Sequence, residues 1–371
     1  MGRALLGGAA AARFLHRYWQ KRPLLMRGAL PGSRSIASWN DLVALAIRDD
    51  VESRLVLRER GRWTLTHGPF HRNDLKALPE RNWTLLVQGV NLHLAAADAL
   101  LRRFSFVPYA RLDDLMVSYA APGGGVGPHV DSYDVFLLQG EGRRRWRIGR
   151  QRGLALKPGL PLDILARFHP KHECVLDPGD MLYLPPALAH DGVAIDACST
   201  FSIGFRAPSA QELAVGFIDW LRDRVAIGGR YRDPGLAPAT EPARISGDLR
   251  EYATTVLAQL AWNDRDVARF LGTYLTEPKP LVAFTPPRRP FALPAFAARA
   301  AERGLRLDSG TQLLYDATHL YINGDALRPP ASGWASLRRL ANMRALPRST
   351  IEREALKLLY HWYRDGFVHL R

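Results

Sequence analysis

A histidine and an aspartate separated by one residue, His129 and Asp131, give the first indication of chemistry in this chain. Residues two apart on a strand point to the same face. Tyr133, Val135 and Leu137 continue that face and are largely apolar, which predicts that it is turned inward. Two ionisable groups on an inward face need a shared partner, and a divalent metal ion binds both side chains. Because a histidine and an aspartate at this spacing often occur together by chance, the prediction of a metal site depends on a third ligand.

The third candidate ligand is His190, which ends a recognisable order of elements in DPGDMLYLPPALAHDG. A turn at 178–180 precedes a buried strand at 181–184, and two prolines lead to the histidine. This order is typical of the second half of the metal site in a double-stranded β-helix (cupin) fold. Two histidines and one carboxylate leave coordination positions open, which suits Fe(II) with a cosubstrate and O₂. Mn(II) and a catalytic zinc ion suit the same side chains. His169 and His172 are rival ligands, which we expect to be exposed in a polar loop.

An arginine on a predicted strand needs an anionic partner. Arg144 shares one face of that strand with Trp146 and Ile148, so its guanidinium is expected to point inward. The other three arginines at 143–147 belong to the opposite face, which we interpret as solvated. A dicarboxylate cosubstrate could pair with Arg144 through its distal carboxylate. The alternative partner is a buried acid of the protein, with Asp180 as the candidate.

The spacing of apolar and turn residues changes along the chain, whose 371 residues are enough for more than one domain. Short apolar runs separated by turn residues predict strands up to about residue 207. Apolar residues at helical spacing follow, and a proline-rich segment at 277–290 precedes a helix, a hairpin, further helices and a terminal strand, as in a winged helix. We predict domains at 1–207, 208–276 and 277–371.

The overall composition restricts the partners and the compartment. Lysine and arginine exceed aspartate and glutamate by 51 to 36, a net charge of +15, which favours a phosphate-rich partner such as nucleic acid or a ribonucleoprotein. A general arginine bias of the genome is the alternative. The two cysteines, Cys174 and Cys198, predict no disulfide framework and fit a cytoplasmic location. We interpret residues 1–23 as the start of a helix rather than a signal peptide, and expect no membrane span.

Several separate blocks of the chain closely resemble the bacterial JmjC-type ribosomal oxygenases. The blocks are FLHRYWQKRPLLMRGA, DDLMVSYAAPGGGVGPHVDSYDVFLLQGEGRRRWRIG, LDPGDMLYLPPALAHDG and FSIGFRAPSAQEL. The resemblance implies an α+β protein with a double-stranded β-helix (cupin/JmjC) catalytic domain, a helical dimerisation region and a C-terminal winged-helix-like domain. It also implies hydroxylation of an arginine β-carbon in protein sixteen of the large ribosomal subunit, dependent on Fe(II), 2-oxoglutarate and O₂.

The resemblance assigns roles to eight residues of this chain. The implied iron ligands and catalytic residues are His129, Asp131 and His190. The implied 2-oxoglutarate contacts are Arg144 and Ser118. The implied substrate pocket contains Asp114, Met116 and Tyr133, for which a turn cap at Asp114 and core packing at Met116 are the structural alternatives. Thr200 stands where some relatives have an asparagine, and we assign it no role.

Other features leave alternatives open. The resemblance implies that the helical region forms a homodimer interface, with Phe217 and Trp220 as candidate contacts, whereas packing of these two residues within one chain is the other interpretation. The target could instead be a histidine of another ribosomal protein, and contact with ribosomal RNA is also open. A cupin ligand sensor with a DNA-binding winged helix is the rival of a different class. Against it, EREALKLLYHWY is interpreted as too apolar all round to present a groove-reading face.

Overall fold

The computed structural model describes residue 6 and residues 10–371. The predicted helix start is seen as helix α1 (Ala11–Arg17), whereas its part at 1–5 and 7–9 lies outside the described residues. Helix α1 buries Phe14, whose ring centroid lies 5.3 Å from that of Phe136 and 4.9 Å from that of Tyr183. These aromatic contacts attach the beginning of the described chain to the central sheet.

The elements up to residue 205 are mainly strands. In chain order they are β1 (Leu24–Met26), α2 (Trp39–Ala46), β2 (Ser53–Glu59), β3 (Arg62–His67), α3 (Arg72–Lys76), β4 (Trp83–Val87), α4 (Ala95–Arg102), β5 (Leu112–Ala120), β6 (Val135–Gln139), β7 (Arg144–Gly149), β8 (His172–Leu176), β9 (Met181–Leu184), β10 (Ala189–Ala194) and β11 (Cys198–Phe205). The strands predicted from short apolar runs are confirmed, with ends that differ by a few residues.

These strands form two antiparallel sheets. The larger has the order β1-β9-β6-β11-β5-β4-β2-β3, and the smaller has the order β10-β7-β8. Side chains alternate between the two faces of each strand. On β6, Phe136 and Leu138 therefore pack in the large core that includes the helices, while Val135 and Leu137 pack with Trp146 of the smaller sheet. Two facing antiparallel sheets with a core between them confirm the double-stranded β-helix.

Three helices follow the sheets: α5 (Ala210–Arg222), α6 (Gly247–Leu257) and α7 (Asp264–Thr276). Ser209 and Glu212 form a capping box that starts α5. No residue of α5 or α6 is buried within the described chain. Helix α7 differs because it buries Phe270 and Thr276. The helical spacing predicted for 209–276 is thus confirmed.

The last part of the chain forms a compact unit with its own core. Its elements are α8 (Leu293–Arg303), β12 (Leu305–Leu307), β13 (Leu313–Tyr315), β14 (Leu320–Ile322), β15 (Asp325–Leu327), α9 (Trp334–Met343), β16 (Ala345–Leu346), α10 (Arg353–Arg364) and β17 (Val368–Leu370). Apolar side chains from all three helices and from most of the strands pack together in this core. Helices combined with small antiparallel sheets confirm the winged-helix arrangement.

The prediction that the last helix is apolar all round is wrong. Helix α10 buries Leu359 and Trp362, and its opposite face is exposed. The exposed side chains are charged or polar: Arg353, Glu354, Lys357, His361 and Arg364. The four buried positions are Ala355, Leu359, Trp362 and Tyr363, and they form one stripe, as in an ordinary amphipathic helix. Helix α10 therefore does present a free polar face, which is compatible with a nucleic-acid contact.

The winged-helix unit is connected to the rest of the chain by polar contacts. Ser309 donates a hydrogen bond to the carbonyl oxygen of Leu92 (2.8 Å), and Tyr109 donates one to that of Asn342 (3.1 Å). The backbone N–H of Gly324 donates to Thr276 Oγ1 at the end of α7 (3.1 Å). Among the described residues, no helix combines the length and hydropathy that crossing a membrane requires.

Candidate active site

His129 and His190 pair directly with each other. Each backbone N–H donates to the other residue's carbonyl oxygen, at 3.0 Å and 2.9 Å, in an isolated antiparallel bridge. The prediction that residues 129–133 form a strand is wrong, because only His129 makes a ladder contact there and β6 begins at Val135. The glycine-rich segment before His129 gives the backbone freedom to turn away from the ladder. His129 and Asp131 nevertheless face the same space.

The two imidazoles are oriented by backbone carbonyl groups. His129 Nδ1 lies 2.9 Å from the oxygen of Gly127, and His190 Nδ1 lies 2.9 Å from that of Leu188. Because a carbonyl oxygen only accepts hydrogen bonds, each Nδ1 carries the proton and each Nε2 keeps its lone pair. Both Nε2 atoms approach the Asp131 carboxylate, at 4.0 Å from His129 and 3.6 Å from His190.

The three side chains together have the geometry of a metal site. One ligand atom from each of His129, Asp131 and His190 lies within 4.8 Å of the others. Burial and the neighbouring His129 lower the pKa of His190 to about 4. A metal ligand must present an unprotonated nitrogen, so His190 is ready to coordinate an ion at neutral pH.

The rival ligands lie elsewhere. His169 and His172 are both exposed, as predicted, although His172 begins strand β8 rather than lying in a loop. Asp180 accepts hydrogen bonds from Arg27 (2.5 Å) and from the backbone of Gly28 (2.9 Å). The alternative that Asp180 pairs with Arg144 is therefore wrong.

Arg144 is buried with two unpaired nitrogen atoms. Its side chain points inward from β7 beside Trp146, as the alternation predicted, and the residue is 4% exposed. Nη1 donates to Ser118 Oγ at 3.2 Å, whereas Nε and Nη2 have no partner among the described residues. A buried cation without an anionic partner is costly. An anion bound in the adjoining space would remove that cost.

A single cavity of about 460 Å³ joins these groups. His129, Asp131 and His190 lie on its wall, and so do Arg144 and Ser118. The three residues predicted to contact the substrate line the same cavity: Asp114, Met116 and Tyr133. The structure thus brings all eight predicted site residues together.

The three predicted substrate residues differ in their surroundings. Asp114 lies inside β5 and is buried, so the turn-cap alternative is wrong; Gln88 Nε2 donates to its Oδ2 at 2.8 Å. Met116 is half-buried, with Arg54 Nη2 at 3.9 Å from its sulfur. Tyr133 is 40% exposed, which places it at the cavity mouth rather than on the inward face that was predicted.

Some cavity residues were given no role from the sequence, and of these Thr84 was not predicted at all. Thr84 Oγ1 and Trp146 Nε1 are buried polar atoms without a partner in the described chain. Thr200, left unassigned, lines the cavity and donates to Gln139 Oε1 at 3.2 Å. The register Leu86↔Ser118 places β4 next to β5. The only sequence pattern that bears on Thr84 is the alternation of side chains along β4. That alternation places Thr84 on the cavity wall only when β4 pairs with β5 in this register.

The chain matches two family models. Residues 99–213 match the JmjC domain, and residues 259–369 match a ROXA-like winged helix. The eight site residues lie within the first match, whereas the cavity is also lined by residues of β2, β3 and β4 that precede it.

Relatives of known name match over most of the chain. It is 36% identical to the ribosomal protein uL16 3-hydroxylase of Escherichia coli over 322 residues, which cover 85% of both chains. It is 39% identical to a probable ribosomal oxygenase of Haemophilus influenzae over 230 residues, 60% of this chain and 54% of the relative. A solved structure of E. coli YcfD, described as a ribosomal oxygenase in complex with cobalt and 2-oxoglutarate, matches with a TM-score of 0.81 and 33% identity, covering 97% of this chain and 98% of that one. The chain therefore belongs to the JmjC-domain ribosomal oxygenase family.

Proposed function

We propose that this protein is an Fe(II)- and 2-oxoglutarate-dependent hydroxylase that modifies an arginine of ribosomal protein uL16. The observation that carries the proposal is the partly unpaired, buried guanidinium of Arg144, which opens into the same cavity as three converging metal ligands. A site for a metal alone would not need this cation. A site for a metal and a dicarboxylate needs both the metal ligands and the buried guanidinium.

The donor set fits a resident divalent ion. His129 Nε2, His190 Nε2 and an Asp131 oxygen would hold Fe(II), with both imidazoles kept in the required tautomer by Gly127 and Leu188. When bound, the iron supplies the oxidising chemistry with O₂ and 2-oxoglutarate, which yields succinate and CO₂. The protein positions the reactants and keeps bulk water away from them.

The cosubstrate would extend from the metal ligands to Arg144. Nε and Nη2 of Arg144 would donate to its distal carboxylate, while Ser118 holds Nη1 in place. The unpaired hydroxyl of Thr84 on the same cavity wall would be a further donor. A solved structure of YcfD contains cobalt and 2-oxoglutarate, which supports this use of the homologous cavity.

The substrate side chain would enter past Tyr133. Asp114 supplies a buried carboxylate for a guanidinium, and the Tyr133 ring supplies a face on which a cation can stack. Desolvation of Asp114 makes such an ion pair stronger than it would be in water. The relative named a uL16 3-hydroxylase supports uL16 as the substrate.

We also propose that two copies of the chain associate through α5 and α6. Neither helix buries a residue in the described chain, and their exposed apolar side chains include Val215, Ile218, Leu249 and Leu257. Phe217 and Trp220 stack on each other with centroids 5.8 Å apart, and Phe217 also contacts Phe270 of α7. These two rings therefore have partners within the chain, and the more exposed residues would supply the contact between copies.

The test is mass spectrometry of purified uL16 after incubation with the protein, Fe(II), 2-oxoglutarate and O₂. We expect one added oxygen on an arginine, with one succinate released for each modified residue. Oxygen on a histidine, or on another ribosomal protein, would replace the substrate assignment and leave the enzyme class unchanged. The absence of any oxidised protein would refute the proposed function.

A further inference from the structure

A lysine from the segment after α7 contacts two aspartates of β5. Lys279 Nζ forms ion pairs with Asp113 Oδ1 at 2.9 Å and with Asp114 Oδ2 at 3.2 Å. Both aspartates line the cavity, whereas Lys279 approaches them from the proline-rich segment at 277–290. Its side chain is 38% exposed and that of Asp114 only 6%. A part of the chain outside the JmjC match thus contacts the predicted substrate pocket.

The two oxygen atoms of Asp114 are used differently. Oδ2 accepts a hydrogen bond from Gln88 Nε2 (2.8 Å) and pairs with the Lys279 ammonium (3.2 Å), and the two contacts restrain the carboxylate. No described residue donates to Oδ1, which lies on the side of Gly204, another residue of the cavity wall. Protein contacts therefore hold Oδ2, while Oδ1 remains available to a ligand.

Lys279 also affects the charge of Asp114. Burial raises the pKa of Asp114 above its ordinary value, and the Lys279 ammonium opposes that shift. Burial would lower the pKa of Lys279, but Asp114 and Asp113 together raise it, so the ammonium keeps its charge. Without Lys279, burial and the neighbouring Asp113 would favour the protonated acid. A neutral acid would attract a guanidinium much less strongly.

We propose that Lys279 is a positioning residue for substrate recognition, which orients Asp114 and keeps it ionised to receive a guanidinium. This inference rests on the proposed function, because it requires a cationic substrate side chain in the cavity. It gives the segment between α7 and the winged helix a role in the active site. Lys279 would change substrate affinity rather than metal or 2-oxoglutarate binding, because its ion pairs are with Asp113 and Asp114 and not with the proposed metal ligands or Arg144.

A simple tether between the segment and the sheet is the structural alternative, and Arg206 already provides one. Arg206 Nη1 donates to the carbonyl oxygen of Leu275 at 2.7 Å, and its Nε lies 3.5 Å from Asp113. The end of α7 therefore stays attached to the sheet without Lys279. Neither Arg206 nor Asp113 bonds to Asp114, so the contact from Lys279 to Asp114 is not duplicated.

The test compares Lys279→Met with Lys279→Arg in the full chain. A peptide that contains the target arginine of uL16 serves as substrate, and succinate release and peptide oxidation are both measured. We expect the methionine variant to raise KM for the peptide about tenfold, the scale of one charge-assisted hydrogen bond. Its kcat and its KM for 2-oxoglutarate should stay within about twofold of wild type, while Lys279→Arg restores most of the peptide affinity.

A pH profile separates the electrostatic role from a merely structural one. The charged and titratable groups around Asp114 are Asp113, Lys279, Arg54, Arg206 and Tyr133. Without Lys279 a larger fraction of Asp114 is protonated at lower pH. The KM ratio of Lys279→Met to wild type should therefore fall as pH rises from about 6 to about 8.5. A structural defect would leave that ratio unchanged.

The outcomes distinguish this inference from the proposed function. Lys357→Met, which removes an exposed lysine on α10, is the matched control and should behave as wild type. If wild type oxidises the peptide and Lys279→Met has the same KM at every pH, the inference is wrong and the proposed function stands. If wild type oxidises neither the peptide nor purified uL16, both are wrong, and if it oxidises only uL16 the same comparison is made with uL16. Should Lys279→Met fail to fold, Lys279→Gln is measured instead, and its KM must rise with the same pH dependence.

Discussion

His129 and His190 exchange two backbone hydrogen bonds, at 3.0 Å and 2.9 Å, and their ring centroids lie 4.2 Å apart. This pairing connects the glycine-rich segment before β6 to the first part of β10. The backbone pairing, with the contacts of each Nδ1 to a carbonyl oxygen, holds the two imidazoles side by side. Asp131 then needs only a short irregular segment to bring its carboxylate to the same point.

Removal of one imidazole should abolish metal binding. His129→Ala leaves two ligands, so Mn(II) affinity measured by calorimetry should fall by more than about 100-fold, and succinate production should cease. His172→Ala, which removes an exposed histidine of β8, is the control and should bind Mn(II) as wild type does. Wild-type affinity in His129→Ala would contradict the assignment of this ligand.

Removal of the Arg144 guanidinium should weaken 2-oxoglutarate binding and leave the metal in place. Loss of one partner of a buried charge pair costs about 2–5 kcal/mol, so Arg144→Met should raise KM for 2-oxoglutarate by roughly 30-fold or more. Metal binding should be retained, and the unfolding midpoint should not fall, because an unpaired buried cation is removed. Arg143→Met is the control, since Arg143 pairs with Asp196 at the surface. An unchanged KM in Arg144→Met would exclude it as the anchor.

A methyl group at Gly192 should destabilise the smaller sheet. A Cβ there would lie 2.6–2.9 Å from the Trp146 ring, which packs beside His190. Gly192→Ala should lower the free energy of unfolding by about 1–3 kcal/mol in urea, the usual cost of overpacking. Gly153→Ala is the matched control, because a Cβ at that position meets no atom within 4 Å. Equal stability of the two variants would show that Trp146 can move aside.

The stability of the metal-free protein should depend on pH through His190. Its pKa is about 4 in the folded protein, mainly because of burial and then because of His129, and 6.5 is its ordinary value. The unfolded chain binds the proton first as pH falls, so the free energy of unfolding should decrease between pH 6.5 and 4, by at most about 3 kcal/mol. Urea unfolding of chelator-treated protein measures this. The stability difference between wild type and His190→Gln should shrink over the same pH window, and a constant difference would contradict the assignment.

A charge on the exposed face of α5 should dissociate the proposed dimer. Ile218 is 65% exposed in the single chain, and an aspartate placed there would be buried against the second copy. Sedimentation should show dimers for wild type and monomers for Ile218→Asp. Met343→Asp on α9 changes an equally exposed apolar residue and should remain dimeric. A wild-type monomer would refute the proposed association.

The sequence could predict features that depend on local periodicity. The alternation along β7 is sufficient to predict that Arg144 points inward. The order of turn, strand and prolines is sufficient to identify His190 as a candidate ligand. The strand predicted at 129–133 was wrong because alternation cannot show where a ladder ends, which depends on the partner strand. The three domains predicted at 1–207, 208–276 and 277–371 stay a prediction.

Features that depend on long-range register could not be predicted. Thr84 enters the cavity only because β4 pairs with β5, and no motif marks it. Lys279 lies between two prolines in a segment interpreted as a linker, and only the folded chain brings it to Asp114. The polar face of α10 is a different case, because its helical spacing was present in the sequence and was read incorrectly.

The most direct test of the account is a crystal structure of the protein with Mn(II) and 2-oxoglutarate, with data collected at the manganese absorption edge. The account predicts an anomalous peak bound by His129 Nε2, His190 Nε2 and an Asp131 oxygen, with the distal carboxylate of 2-oxoglutarate paired to Arg144. A peak bound by other side chains, or 2-oxoglutarate oriented away from Arg144, would contradict it.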